Sequence, residues 1–160
     1  MKISIGTKIK DGPWGGGNLF AINLKNYLES NGHKVFHDLD EDDIDIILIT
    51  EPRKTSESSA FTHIDILKYR QFVKNDVIVV HRINECDARK DTEHMDVILR
   101  ECSKFTDMTV FVSNWMQNYH VERGWNCKNT AVVYNGCDRS HFNANNKITR
   151  KKGEPLRIVS

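Results

Sequence analysis

No apolar run in this 160-residue chain approaches the roughly 20 residues that a helix needs to cross a bilayer. Its first eight residues, Met1 to Lys8, lack the long apolar stretch of a signal peptide, and no Asn-x-Ser/Thr sequon occurs. Paired cysteines are missing as well. Cys86, Cys102, Cys127 and Cys137 are widely spaced with no Cys-x-x-Cys, so neither a zinc site nor a disulfide scaffold is expected. Nor is there an excess of charge of one sign. The 23 Lys and Arg nearly balance 22 Asp and Glu, which argues against nucleic acid or another polyanion as partner. The default expectation is a cytoplasmic protein without a metal. Hydrophobic content of 39% and charged content of 28% suit a globular fold, and the length suits one domain rather than two.

What the chain does have is alternation of strand and helix. Ile3 and Ile5 mark a strand at 2–6, and Phe20, Leu24, Tyr27 and Leu28 recur at helical spacing over 17–30. Asn31-Gly32 ends that helix, and a second strand follows at 33–36. The nearly continuous apolar run at 44–49 reads as a central parallel strand covered on both faces. A polar loop, 50–59, leads to a helix over 59–74 and to a buried strand at 77–80. Met95, Ile98, Leu99, Cys102 and Phe105 share one side of a helix over 92–105, where Cys102 is a small core residue. Strands at 108–112 and 131–134 flank a short helix, 114–123, that Ser113 caps and Gly124 closes. The expectation is an α/β domain over 1–143 with a mostly parallel sheet. A polar, basic linker follows at 144–155, and 156–160 begins either a second domain or a last edge strand.

The chemistry gathers at the strand ends, where ligands of parallel α/β sheets sit. The stretch Asp11-Gly12-Pro13-Trp14-Gly15-Gly16-Gly17-Asn18 stands at the first strand-to-helix junction. Its glycines leave the backbone bare, and the helix that follows aims a positive dipole end at the same place, so an anion is the expected guest. Two familiar phosphate patterns fail in detail. Asn18-Leu19 replaces the lysine and hydroxyl of a Walker loop, and Phe20 replaces the third glycine of a dinucleotide turn. Asp38, after the second strand, stands where a ribose-binding carboxylate would lie, which keeps a nucleotide- or NAD-binding oxidoreductase as the alternative. The other strand ends carry Glu51, then His81 and Arg82, Ser113, and Asn135 with Gly136. His81 suits a general base or a donor to a sugar hydroxyl, and Arg82 suits a phosphate or carboxylate. The run Arg150-Lys151-Lys152 reads as solvated linker or as peripheral contact with an anionic membrane.

The order of these pieces resembles a known family. A glycine-rich loop follows the first strand, and His81 follows a strand near mid-domain. Phe111-Val112-Ser113-Asn114-Trp115-Met116 comes next, then Val132-Val133-Tyr134-Asn135-Gly136-Cys137-Asp138 with Phe142 soon after. The set, from Lys2 to Phe142, is similar to the N-terminal domain of GT-B glycosyltransferases, in particular glycosyltransferase family 4, with Cys137 in place of the usual valine. The resemblance implies a Rossmann-like three-layer domain, the acceptor-binding half of a retaining hexosyltransferase. Its donor is a nucleotide-sugar, used as co-substrate without a cofactor, and its acceptor a carbohydrate or other hydroxyl. It implies that Gly15, Gly16 and Gly17 reach the donor phosphates and that His81 lies near the transferred sugar. Arg82, Glu51, Ser113, Asn135 and Gly136 shape the acceptor side of the cleft. A C-terminal GT-B domain, in cis or trans, carries most of the nucleotide site, so this chain alone is expected to be inactive. A non-catalytic sugar-binding module is the remaining alternative.

Overall fold

A computed structural model describes residues 1–12, 14–127 and 129–139, together with Asn143, Asn145 and Gly153. The expected linker at 144–155 and the strand at 156–160 lie outside the described residues, apart from Asn145 and Gly153, as does Phe142. Eleven elements follow in order: β1 (Lys2–Ile5), α1 (Gly15–Ser30), β2 (Lys34–Phe36), β3 (Ile46–Ile49), α2 (His63–Phe72), β4 (Ile78–Ile83), α3 (Asp87–Lys90), α4 (Met95–Ser103), β5 (Met108–Phe111), α5 (Asn114–Glu122) and β6 (Thr130–Val132).

The six strands form one sheet in the order β2-β1-β3-β4-β5-β6, and every pairing is parallel. This is a Rossmann-like α/β domain. Right-handed crossovers explain where the helices go. The step from β1 to β2 runs one way along the sheet, and the steps from β3 through β6 run the other. So α1 packs on one face, with Ala21, Leu24 and Leu28 against Ile3, Ile5, Ile46 and Leu48. The helices α2, α4 and α5 pack on the opposite face. There Ile47, Ile49 and Val79 meet Ile66, Tyr69 and Cys102, and Ile83 and Phe111 meet Leu99, Met116 and Tyr119. On the α1 side, the surface over β4 to β6 stays partly open: Ile78 and Val133 are exposed, and Val80, Met108 and Val110 are half-buried.

Three expectations need correction. The glycines are not a loop. Gly15, Gly16 and Gly17 form the first turn of α1, entered through Gly15 at a φ of 80°, a conformation that glycine adopts without a Cβ penalty. The strand expected at 77–80 runs on to Ile83, because β3 and β5 offer ladder partners that far: His81 lies opposite Ile49 and Thr109, and Ile83 opposite Phe111. His81 is therefore inside the sheet rather than at its rim. The helix expected over 59–74 is shorter, because Thr62 and Asp65 form a capping box that starts it at His63.

Gly6, just past β1, sits where no side chain fits comfortably. A Cβ there would stand 3.1 Å from the Phe61 ring and 3.2 Å from the Leu48 carbonyl oxygen. The second neighbour is backbone and cannot swing away. Gly6→Ala is expected to cost about 1–3 kcal/mol of stability, read as a lower urea midpoint at unchanged slope. An unchanged midpoint would mean that Phe61 and β3 yield freely.

Candidate functional site

Two cavities open at the carboxyl ends of the strands, on either side of a shared wall. The larger, about 690 Å³, lies between α1 and the ends of β4 to β6, bounded by Gly16, Gly17, Phe20, Arg82, Asn135 and Gly136. The smaller, about 360 Å³, lies between the start of α1 and the loops after β1 and β3, bounded by Thr7, Trp14, Glu51, Arg53 and Glu85. Gly17, Phe20, Arg82, Asn84 and Glu85 belong to both.

Arg82 is the centre of the wall. The pleat of β4 sends neighbouring side chains to opposite faces, so Arg82 points to the α1 side while His81 points away. The Arg82 guanidinium carbon lies 3.8 Å from the centroid of the Phe20 ring, and its Nη2 donates to Asn135 Oδ1 at 2.9 Å. Arg82 is only 8% exposed, and burial pulls its pKa down to about 10. Among the described residues no carboxylate lies within ion-pair distance of it. Buried charges are ordinarily paired, because desolvation costs several kcal/mol per ion. A neutral amide and an aromatic face do not supply a counter-charge, so the position calls for an anion.

The start of α1 adds to the same demand. Its first turn holds no acidic side chain, and Trp14 at the cap makes no side-chain bond to the turn's N–H groups. The positive end of a 16-residue helix therefore faces the cavities through Gly16 and Gly17 with no side chain in the way. Asn18 fixes the approach. It is buried, its Oδ1 accepts from the Lys10 N–H at 2.9 Å, and its Nδ2 donates to the Lys10 carbonyl at 2.8 Å. This two-way clasp ties the loop after β1 to the helix. The residue that spoils the Walker pattern has a positioning role of its own.

The remaining candidates divide. Asn135 and Gly136 line the larger cavity beside Arg82, while Glu51 lines the smaller one and is held by Arg53 through Nε at 2.8 Å and Nη2 at 2.6 Å. Ser113 lines neither cavity: its hydroxyl accepts from the Met116 N–H at 3.1 Å and caps α5, and Val112 forms the wall instead. Asp38 is exposed, bonds the Asp40 N–H at 3.2 Å, and lines neither cavity. His81 is fully buried on the other face, with Nδ1 2.8 Å from Ser103 Oγ and Nε2 without a partner. Burial drives its pKa down to about 3, so it is neutral at pH 7 and touches neither cavity. Phe20, Asn18, Trp14 and Glu85 were not legible as site residues. The first two read as breaks in a motif, and Glu85 followed a strand end placed too early.

No protein-family model matches the sequence, and no curated protein does. Solved structures do match. An alpha-glucosyltransferase in complex with UDP and a 13-mer DNA containing an HMU base shares 16% identity at a TM-score of 0.52, over 82% of this chain and 41% of that one. An alpha-glucosyltransferase in complex with UDP shares 13% identity at a TM-score of 0.51, over 82% and 42%. A third structure, with UDP-glucose and DNA containing an abasic site, shares 14% at 0.52, over 82% and 41%. This likeness shows the fold. The chain spans about two fifths of the length of these proteins.

Proposed function

We propose that this domain is the acceptor-side half of a GT-B glycosyltransferase of the family 4 kind, retaining and hexose-transferring, with a nucleotide-sugar as donor. On this reading residues 1–143 are the N-terminal domain, 144–155 the link, and 156 onward the entry to a donor-binding domain in cis or trans. The observation that carries the proposal is Arg82: a buried guanidinium without a carboxylate, beside a bare helix N-terminus. The two together suit the diphosphate of the donor. In the transfer, an acceptor hydroxyl oxygen bonds to the anomeric carbon as the bond from that carbon to the diphosphate oxygen breaks. The leaving oxygen keeps the electron pair of the broken bond and takes up the hydroxyl's proton, and Arg82 with the α1 N–H groups stabilises the charge that develops there. The oxidoreductase alternative loses one of its two supports, because Asp38 lines neither cavity.

The test is calorimetric titration of the chain with pyrophosphate, against Arg82→Met. Methionine keeps the length and apolar stem while removing the charge. Wild-type binding and an affinity loss of about tenfold or more in the variant are expected, from the charge-assisted hydrogen bonds removed. Absence of binding, or equal affinity in both proteins, would overturn the reading.

A further inference from the structure

We infer that the 360 Å³ cavity is the acceptor subsite and that it takes a neutral pyranoside, stacked on Trp14, with one hydroxyl directed at Glu85. This rests on the proposed glycosyl transfer and names its acceptor class. The first ground is charge. Each carboxylate in the cavity wall has a cation of its own: Glu57 with Lys10 at 2.6 Å, Glu51 with Arg53 at 2.6 Å, and Glu85 with Lys90 at 3.7 Å. A phosphodiester acceptor would need several unengaged cations, whereas of the five in this wall only Lys8 and Arg82 have no carboxylate among the described residues, and Arg82 is given to the donor diphosphate. Carboxylates paired with two ammonium groups and a guanidinium instead offer a ring of fixed donors and acceptors, which is what a polyhydroxylated neutral ring can satisfy. Thr7 and Thr50, whose hydroxyls lie 2.7 Å apart, add to that ring.

The second ground is the indole. Trp14 is 56% exposed although it borders a cavity, and the Lys10 ammonium lies 3.8 Å from its ring centroid. Lys10 is in turn held through its backbone by Asn18 and through its side chain by Glu57. A large aromatic surface is thus kept at the cavity mouth by a network instead of folding into the core. The C–H faces of a pyranose ring suit such a platform.

The third ground is Glu85. It stands in the wall common to both cavities, one residue past Asn84 and three past Arg82. Its Oε2 is buried with no hydrogen-bond donor. A hydroxyl in the smaller cavity that donates to this carboxylate is held at the boundary with the larger one, which Glu85 also borders. Donating its hydrogen bond there orients its oxygen toward the donor side.

The experiment is binding of the chain to an array of neutral mono- and oligosaccharides, followed by fluorescence titration of whichever glycan binds best. Trp14→Ala and Glu85→Gln are compared with Trp115→Ala, an exposed indole on α5 that borders neither cavity. The expected result is a loss of about tenfold or more for Trp14→Ala, a several-fold loss for Glu85→Gln, and no change for Trp115→Ala. Circular dichroism of each variant checks folding, and Trp14→Tyr, which keeps an aromatic platform, is expected to restore most of the affinity. No neutral glycan bound, or equal binding by the Trp14 and Trp115 variants, would overturn the inference. So would tighter binding to a single-stranded DNA oligonucleotide that depends on Trp14. Pyrophosphate binding that depends on Arg82 but without glycan binding sinks this inference alone; loss of the pyrophosphate signal sinks the donor reading.

Discussion

Replacing His81 with leucine is expected to make the protein less stable than wild type at pH 7 and more stable at pH 4.5. The crossing follows from where the ring sits. Buried against Ser103 on the helix-covered face, His81 is held neutral, with its pKa driven from 6.5 to about 3 by desolvation. The unfolded chain takes up the proton near the ordinary value, so the unfolded state binds more protons through the whole interval. Stability from the neutral ring is fully present above pH 6.5 and is lost as pH falls from there toward 3. At pH 4.5, two units below the ordinary value, the loss comes to about 2–3 kcal/mol. His120, buried among Phe111, Tyr119 and Trp125 with its pKa also lowered chiefly by burial, adds in the same direction. Leucine gives up the bond to Ser103, about 1 kcal/mol at neutral pH, and removes one of the two titrations. Urea midpoints of both proteins at several pH values provide the check. Parallel curves would mean that His81 titrates normally and is open to solvent. Pyrophosphate affinity at pH 7 is expected to be the same in both, since His81 borders neither cavity; a loss there would return it to the site.

That correction shows what the sequence could and could not convey. Alternation of apolar runs with helical periods located all six strands, because each strand is a local signal that the parallel sheet then pairs. Strand ends were less legible. His81 and Arg82 look like the polar residues that follow a strand, yet pairing of β4 with β3 and β5 continues through both, and pairing is not local. One consequence is that two adjacent residues expected to act together point to opposite faces of the sheet. The helical period of α1 was legible, but its division was not. Ala21 and Leu28 meet the sheet, Leu24 meets it and also borders the larger cavity, and Phe20 and Tyr27 border that cavity. Sequence spacing cannot separate an apolar side chain facing the core from one facing a cleft, since the same helical period carries both, even where the cleft residue is exposed as Tyr27 is.

The glycines of α1 allow fold and function to be separated. Gly16 and Gly17 have ordinary helical backbone, and a Cβ built on either meets no atom within 4 Å. Nothing in the fold demands glycine there. In a helix interior glycine is worse than alanine by about 1 kcal/mol, and somewhat less near the end. Gly17→Ala is therefore expected to raise the urea midpoint, by up to about 1 kcal/mol of stability. Gly15→Ala behaves oppositely, because its φ of 80° penalises any Cβ by about 1–2 kcal/mol. If the bare turn is where a diphosphate approaches the backbone, a methyl at Gly17, which borders both cavities, stands between the N–H groups and the ligand. Gly17→Ala then weakens pyrophosphate by about tenfold and Gly17→Val by more, in proteins that are at least as soluble and cooperative on unfolding as wild type. A more stable protein that binds worse is the signature of a residue kept for its ligand. A more stable protein with unchanged affinity would move the anion off the helix and leave Arg82 to hold it alone.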